Sequence, residues 1–328
     1  MPSMERCDVD LKQLMEVVRS ADNILVVSHQ RPDGDCLGST AGFLLGLRSL
    51  GKRVAAYNAG PIGEKWAFLP QIEEIAQSLP EWTPEWTFFV DCGAVYRVSD
   101  EFQALGRTVN IDHHLTNDRF GDFNWIDVDA CAVGEQVYRL LTGLGVEITT
   151  EIASALYLSI LTDTGGFRYS NTTASTFAIA GELVARGAMP GEISQAVFES
   201  RSPEEFGLIG RVLANLVYEL DGKFVHGELR QTDFADYGGG EHEPEGLSSD
   251  IRGVRGVEIS CLMQETDDGL LRAGFRGKGT VNCGAIAQRL GGGGHFNASG
   301  ALLKGRTYEA ARDEVLAAVR AEVLATFG

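Results

Sequence analysis

The chain has 328 residues, 44% of them hydrophobic, and a formal net charge of −18. That apolar content excludes wholesale disorder, and the length allows one large domain or two of ordinary size. The acidic balance excludes a footprint for long nucleic acid, which needs a basic face, and no apolar run is long enough to cross a bilayer as a helix.

The opening MPSMERCDVD carries acids and no apolar h-region, so no signal peptide is expected. The apolar spacing of Leu11 to Ser20 predicts a short helix. Ile24 to Ser39 reads ILVVSHQRPDGDCLGS: a strand ending at Ser28, a polar loop holding His29, Asp33 and Asp35, and a helix from Cys36 to Leu50. Open α/β sheets place their sites at the carboxyl ends of strands. Carboxylates suit hard divalent cations, and imidazole also suits manganese, iron, cobalt and zinc. Asp and Gly after a strand are also ordinary turn residues, so this stretch alone decides nothing.

Gly51 ends the helix and Lys52–Tyr57 reads as the next strand, with a Pro70-broken helix over Trp66–Ile75. The buried strand WTFFV (Trp86–Val90) stops at Asp91. A helix is expected over Val95–Leu105. The strand Thr108–Ile111 then delivers Asp112, His113 and His114. This β-α alternation predicts a mainly parallel sheet with helices on both faces, its strand ends gathered on one edge. Phe123–Val128 reads as an edge strand, and Ala132–Leu144 and Glu151–Leu161 as helices. The second helix runs into Asp163. An acid at a helix C-terminus is unfavourable for the dipole, an objection that a bound cation removes.

The six cysteines, Cys7, Cys36, Cys92, Cys131, Cys261 and Cys283, form no C-x-x-C pair. They read as free thiols of a reducing cytoplasm, with Cys36 and Cys92 as small packed residues beside candidate ligands.

Helices follow over Phe177–Gly187, Pro190–Ser200 and Pro203–Leu220, and then the composition changes. Lys223–Arg230 alternates like a strand, Gly238–Gly240 with the acids after it reads as a loop, and Val257–Gln264 with Leu270–Arg276 reads as a hairpin. The expected organisation is a catalytic domain over residues 1–190, a helical linker over 191–221 and a smaller C-terminal α/β domain over 222–328. In the last, FRGKG (Phe275–Gly279) and RLGGGGHFNASG (Arg289–Gly300) carry the chemistry. Successive glycines free the backbone for close approach, their N–H groups can line an anion nest, and Arg276 and His295 add donors for phosphate.

Together SHQRPDGD (Ser28–Asp35), VDCG (Val90–Gly93), IDHH (Ile111–His114) and LTDTGGFRYSNT (Leu161–Thr172) resemble the DHH family of phosphoesterases. The second-half motif resembles the DHH-associated domain of oligoribonucleases and RecJ-type exonucleases, and not the C-terminal domain of the family's pyrophosphatases. The resemblance covers nearly the whole chain, and its length suits the oligoribonuclease and pAp-phosphatase branch. It implies two divalent ions of the Mn²⁺ type, with Mg²⁺ or Co²⁺ as options. His29, Asp33 and Asp91 would hold the first; Asp35, Asp91, His113 and Asp163 the second, with Asp91 bridging.

His114 is the expected proton donor or phosphate contact, with a packed histidine as the bland alternative, and Asp112 the residue that orients a histidine. Arg168 is a phosphate contact or a surface salt bridge. Arg276, Gly292, Gly293, Gly294 and His295 are expected to hold the substrate. The implied activity is hydrolysis of very short RNA oligonucleotides to mononucleotides and of 3′-phosphoadenosine 5′-phosphate (pAp). Alternatives are a linear or cyclic dinucleotide phosphodiesterase, a RecJ-like single-strand exonuclease, or a nucleotide-binding regulatory protein. No long nucleic acid and no membrane are expected as partners, and a homodimer is allowed.

Overall fold

The computed structural model describes residues 6–237 and 246–328. The first residues of the opening segment and the loop expected at Gly238–Gly240 lie outside these. The chain divides into two compact units, one ending at Ser200 and the other starting at Arg201.

The first unit runs β1 (Cys7–Asp8), α1 (Leu11–Ser20), β2 (Asn23–Val27), α2 (Gly34–Ser49), β3 (Arg53–Tyr57), β4 (Ile75–Ala76), β5 (Trp86–Val90), β6 (Arg107–Asp112), β7 (Phe123–Ile126), α3 (Val133–Gly143), α4 (Thr150–Asp163), α5 (Ala174–Ala185) and α6 (Pro190–Phe198). Its strands form a seven-stranded parallel sheet in the order β1-β7-β6-β5-β2-β3-β4. The expected α/β class with a parallel sheet and a second, smaller sheet domain is what the structure shows. Alternation splits β2 between two cores. Ile24 and Val26 face the larger, which includes residues of α1 to α6. Leu25 and Val27 face a smaller one with Phe89, Cys92 and Val98, closed by Phe102 and Phe120.

The segment expected as a helix over Val95–Leu105 is only a 3-10 turn, Val95–Arg97. After Val98 come Ser99 and Asp100, residues whose side chains compete for backbone bonds. The Trp66–Ile75 segment likewise holds two 3-10 turns, Glu64–Trp66 and Ile72–Glu74, on either side of Pro70.

Helices α2 and α4 are buried over most of their length, as expected of helices apolar all round. Their close approach comes from a glycine at every fourth position of α2. A Cβ on Gly34 would lie 2.3 Å from the Thr162 side chain, one on Gly38 2.4 Å from the Ala155 carbonyl oxygen, and one on Gly42 2.6 Å from Leu156. Residues four apart share one helix face. This row therefore lets the start of α2, with Asp35, meet the end of α4, with Asp163.

The second unit runs α7 (Pro203–Leu213), β8 (Val217–Glu219), β9 (Phe224–Leu229), α8 (Gln231–Tyr237), α9 (Leu247–Arg252), β10 (Ile259–Glu265), β11 (Leu271–Gly277), α10 (Cys283–Arg289), β12 (Gly293–Gly294), β13 (Ala298–Leu303) and α11 (Tyr308–Phe327). Its six-stranded sheet has the order β12-β13-β11-β10-β9-β8, with β9 and β10 parallel and the other pairs antiparallel. The expected hairpin is β10–β11.

The helix expected to reach Leu220 stops at Leu213. Val217–Glu219 instead pairs with Phe224–His226 across a turn in which Leu220, Asp221 and Gly222 all have positive φ. β-branched and aromatic residues fit a paired strand better than an exposed helix end. The segment expected as a linker is shared between the units. Ile193 of α6 joins the first core, whereas Leu208, Ile209 and Val212 of α7 join a core of the second.

Candidate metal centre

The ends of β2, β5, β6 and α4 bring the first unit's candidate ligands together. Asp91 is the common member. His29 Nε2 lies 3.3 Å from Asp91 Oδ2 and 3.9 Å from Asp33 Oδ1. His113 Nε2 lies 3.7 Å from Asp35 Oδ2, 3.7 Å from Asp163 Oδ2 and 4.0 Å from Asp91 Oδ1. Three ligand groups, His29–Asp33–Asp91, Asp35–Asp91–His113 and Asp91–Asp112–His114, each have their donor atoms within 4.8 Å of one another.

Each group is held by local structure. Asp33 caps α2, its Oδ1 accepting from Cys36 N at 3.0 Å, so the ordinary turn role is real and still leaves Asp33 within a candidate ligand group. With that cap α2 starts at Gly34, two residues before the expected Cys36, and Asp35 falls in the first turn. The Asp35 carboxylate accepts from Val133 N (2.9 Å) and Gly134 N (3.3 Å) at the start of α3 and from Ser159 Oγ (2.5 Å). Helix starts favour anions there. Asp91 has a left-handed backbone, φ 53°. That is uncommon outside glycine and concentrates at functional sites.

His113 Nδ1 meets the Ala130 carbonyl at 3.0 Å. A carbonyl only accepts, so Nδ1 carries a proton and Nε2 is the nitrogen turned toward the carboxylates, the orientation a metal-binding imidazole needs. Asp112 is fully buried; its Oδ1 meets His114 Nδ1 at 2.7 Å and its Oδ2 accepts from Asn117 Nδ2 at 2.5 Å. Asp112 thus orients His114. Asn171 Nδ2 donates to the Asp163 backbone carbonyl at 3.1 Å and approaches its Oδ2 at 3.4 Å.

The charges are mutually strained without a cation. Burial alone would strip His113 of its proton, but the Asp163, Asp35 and Asp91 carboxylates hold it on up to about 10. Burial lifts the Asp163 carboxyl to about 6, against the pull of His113 and with repulsion from Asp91 and Asp33. Burial, then Asp91 and Asp163, push Asp35 well above the usual carboxylate range. Asp91 is also penalised by burial, yet the hydrogen bond and charge of His29, with His114 and His113, keep it ionised far below that range. Asp91 Oδ1 is nevertheless buried with no hydrogen bond. A buried charged oxygen without a donor is costly; a divalent cation is the partner that carboxylate and imidazole donors fit.

Sequence reasoning missed four contributors: Ser159, Asn117, Asn171 and Arg97. The first three are polar residues whose roles arise only from contact. Arg97 ends the 3-10 turn after β5. A Cβ placed on Gly93 would lie 3.9 Å from Arg97 Nη1, 3.8 Å from Asp112 Oδ2 and 3.9 Å from His114 Cβ. Burial works against the Arg97 charge, but Asp91, Cys92 and Asp112 hold it on. Arg168, the cation that the sequence favoured, is exposed and donates from Nε to the Gly165 carbonyl at 2.5 Å.

In the second unit Arg276 alternates with buried Phe275 and Gly277 and pairs in register with Ala298. The glycine run differs from the expected nest. Gly291 N donates to Gln288 O (3.1 Å), Gly292 N to Ala287 O (2.8 Å), and His295 N to Ala298 O (2.7 Å). Gly293 and Gly294 pair with Gly300 and Ser299. A Cβ on Gly292 would fall 2.1 Å from the Gly300 carbonyl oxygen. The close approach that the glycines permit is therefore backbone to backbone.

Comparisons with known proteins agree with this architecture. The family model described as DHH family, N-terminal domain, matches residues 23–160, and the DHHA1 domain matches residues 241–324. The bifunctional oligoribonuclease and PAP phosphatase NrnA of Thermus thermophilus is 34% identical over 315 residues, 95% of this chain and 94% of that protein. The protein of the same name from Bacillus subtilis is 29% identical over 297 residues, 89% and 92% of the two chains. The crystal structure of an exopolyphosphatase-related protein from Bacteroides fragilis matches with a TM-score of 0.85 at 26% identity, covering 95% of each chain.

Proposed function

Because the chain belongs to the DHH family of phosphoesterases and carries a DHHA1 domain, we propose that it is a two-metal phosphohydrolase acting on very short oligoribonucleotides and on pAp. His29, Asp33 and Asp91 hold one divalent cation; Asp35, Asp91, His113 and Asp163 hold the other; Mn²⁺ is the proposed ion. The observation that carries this reading is Asp91, whose carboxylate belongs to each of the three ligand groups just described and has one buried oxygen without a hydrogen bond. When bound, the cations make a water nucleophilic at neutral pH and offset charge building on the phosphoryl oxygens.

The remaining roles fall to the chain's own groups. Asp112 fixes the His114 ring through Nδ1. His114 thereby protonates the leaving oxygen or steadies the phosphate. The second unit binds nucleotide through Arg276 and through His295 on the turn shaped by Gly292, Gly293 and Gly294. The relatives from Thermus thermophilus and Bacillus subtilis, named for both activities, support this choice of substrates. The acidic surface favours short substrates over long strands.

One panel with Mn²⁺ tests the reading: pAp, a dinucleotide, a pentanucleotide, a cyclic dinucleotide and pyrophosphate. Turnover of pAp and the short linear RNAs is expected. Hydrolysis of pyrophosphate alone would overturn the assignment of the second unit, and preference for the cyclic dinucleotide would replace the proposed substrate.

A further inference from the structure

Arg97 is the guanidinium beside the carboxylate–imidazole cluster, and the ligand assignments above do not use it. Among the described residues it makes no ion pair and no side-chain hydrogen bond. A guanidinium presents N–H donors in a planar fork and never titrates in a protein. Half-buried donors facing a functional cluster need an acceptor, and leaving them unmet is costly.

The base of the side chain is well fixed. Arg97 N donates to Ala94 O at 3.1 Å, and its carbonyl accepts from Gln30 N at 2.8 Å. Gln30 follows His29, so the backbone of Arg97 is tied to the loop that carries His29 and Asp33. Val98, the next residue, is buried in the smaller core. Arg97 Nη1, Asp112 Oδ2 and His114 Cβ converge on Gly93. A point at the Cβ position of Gly93 has its nearest neighbours outside the local chain at 3.8 to 3.9 Å, and these are Asp112 Oδ2, Arg97 Nη1 and His114 Cβ.

We infer that Arg97 binds a phosphoryl group of the substrate beside the cluster, where Gly93 adds no side chain of its own. This rests on the phosphohydrolase reading and names a phosphate-gripping residue of the same site. Its chemistry is the charge-assisted, two-pronged hydrogen bond that arginine makes to phosphate. The competing role is purely electrostatic: Arg97 would only offset the charges of Asp91 and Asp112.

The test compares wild type, Arg97→Ala and Arg97→Lys as full chains loaded with Mg²⁺. Inorganic phosphate is titrated by calorimetry, Mg²⁺ affinity and thermal midpoint are recorded, and kcat/KM is measured on pAp and a dinucleotide. The expected result for Arg97→Ala is phosphate binding weaker by about 10- to 100-fold and kcat/KM lower by about 100- to 1000-fold. Mg²⁺ should bind as tightly as in wild type or tighter, because a nearby positive charge is gone. Arg97→Lys, which keeps the charge and loses the fork, should fall between. Equal phosphate affinity in wild type and Arg97→Ala, or no phosphate binding by wild type, overturns the inference. Failure of the wild type to cleave either nucleotide with Mg²⁺ and again with Mn²⁺ would sink the functional reading, while the phosphate titration would still decide Arg97.

Discussion

Asp91 and Gly292 sit at the centres of the two segments that carry the motifs, and they differ in what their polar atoms meet. Asp91 Oδ1 is buried with no hydrogen bond, and His113 Nε2 and His114 Nδ1 stand 4.0 and 3.6 Å from it. Gly292 N donates to Ala287 at 2.8 Å, and its missing Cβ makes way for the Gly300 carbonyl. In the first unit the fold leaves bonding capacity over and aims it at one place. In the second, much of the glycine run's capacity is used within the fold, and function falls to the side chains that the run positions. A motif of charged residues and a motif of glycines thus carry different information, although both look equally strong as strings of letters.

Asp91→Ala gives the sharpest break of that comparison. Removing the group shared by the three ligand groups described above should lower turnover by more than about a thousandfold, beyond the loss of a single hydrogen-bond donor. It should also abolish tight binding of the second cation while leaving circular dichroism unchanged. Metal titration with kinetics checks this, and near-normal turnover would remove Asp91 from the centre of the site. Gly292→Ala addresses the other side. An added Cβ against a backbone oxygen must displace the β12–β13 pairing, at about 1–3 kcal/mol. The expected outcome is a lower unfolding midpoint, with KM moved no more than severalfold in the protein that remains folded. A KM raised more than tenfold at full stability would instead show that this glycine faces ligand and would erase the contrast.

The same contrast explains what could be read from the chain. The candidate ligands were legible because each acid or histidine interrupts an apolar run at a strand or helix end, as Asp91 does after WTFFV. The parallel sheet was legible for the same reason. The glycine row of α2 was not, because Gly34, Gly38 and Gly42 acquire meaning only against Thr162, Ala155 and Leu156, more than a hundred residues away. Ser159, Asn117 and Asn171 are unremarkable in sequence and act through single contacts. Arg97 was hidden inside a segment expected to be a helix. The early stop of α7 was missed because strand pairing with β9 overrides the local pattern around Val217.

The smallest expected effect concerns protons. In the metal-free protein the His113 pKa is raised from 6.5 to about 10. Its stabilising contribution is therefore complete below about 6.5 and is lost as pH rises through about 10. Asp163, raised from 3.8 to about 6, contributes fully below about 3.8 and loses that contribution as pH rises through about 6. Asp35 and His29 are raised as well and carry the same sign. Asp91 and Asp112 are lowered, so their contributions change only in acid below the ordinary carboxylate range. Between about pH 5.5 and 9 the groups facing the cluster thus push one way, and the metal-free protein should lose stability as pH rises.

A divalent cation needs those protons gone and replaces their charge, so the loaded protein should not share the loss. The gap between melting temperatures with Mg²⁺ and with EDTA should widen by several degrees over that range, at about 2–4 °C per kcal/mol for domains of this size. Asp91→Ala should flatten the dependence. A gap that stayed constant or narrowed with pH would mean that the cluster and the cation do not compete for the same charge, and the first unit would lose the property that sets it apart from the second.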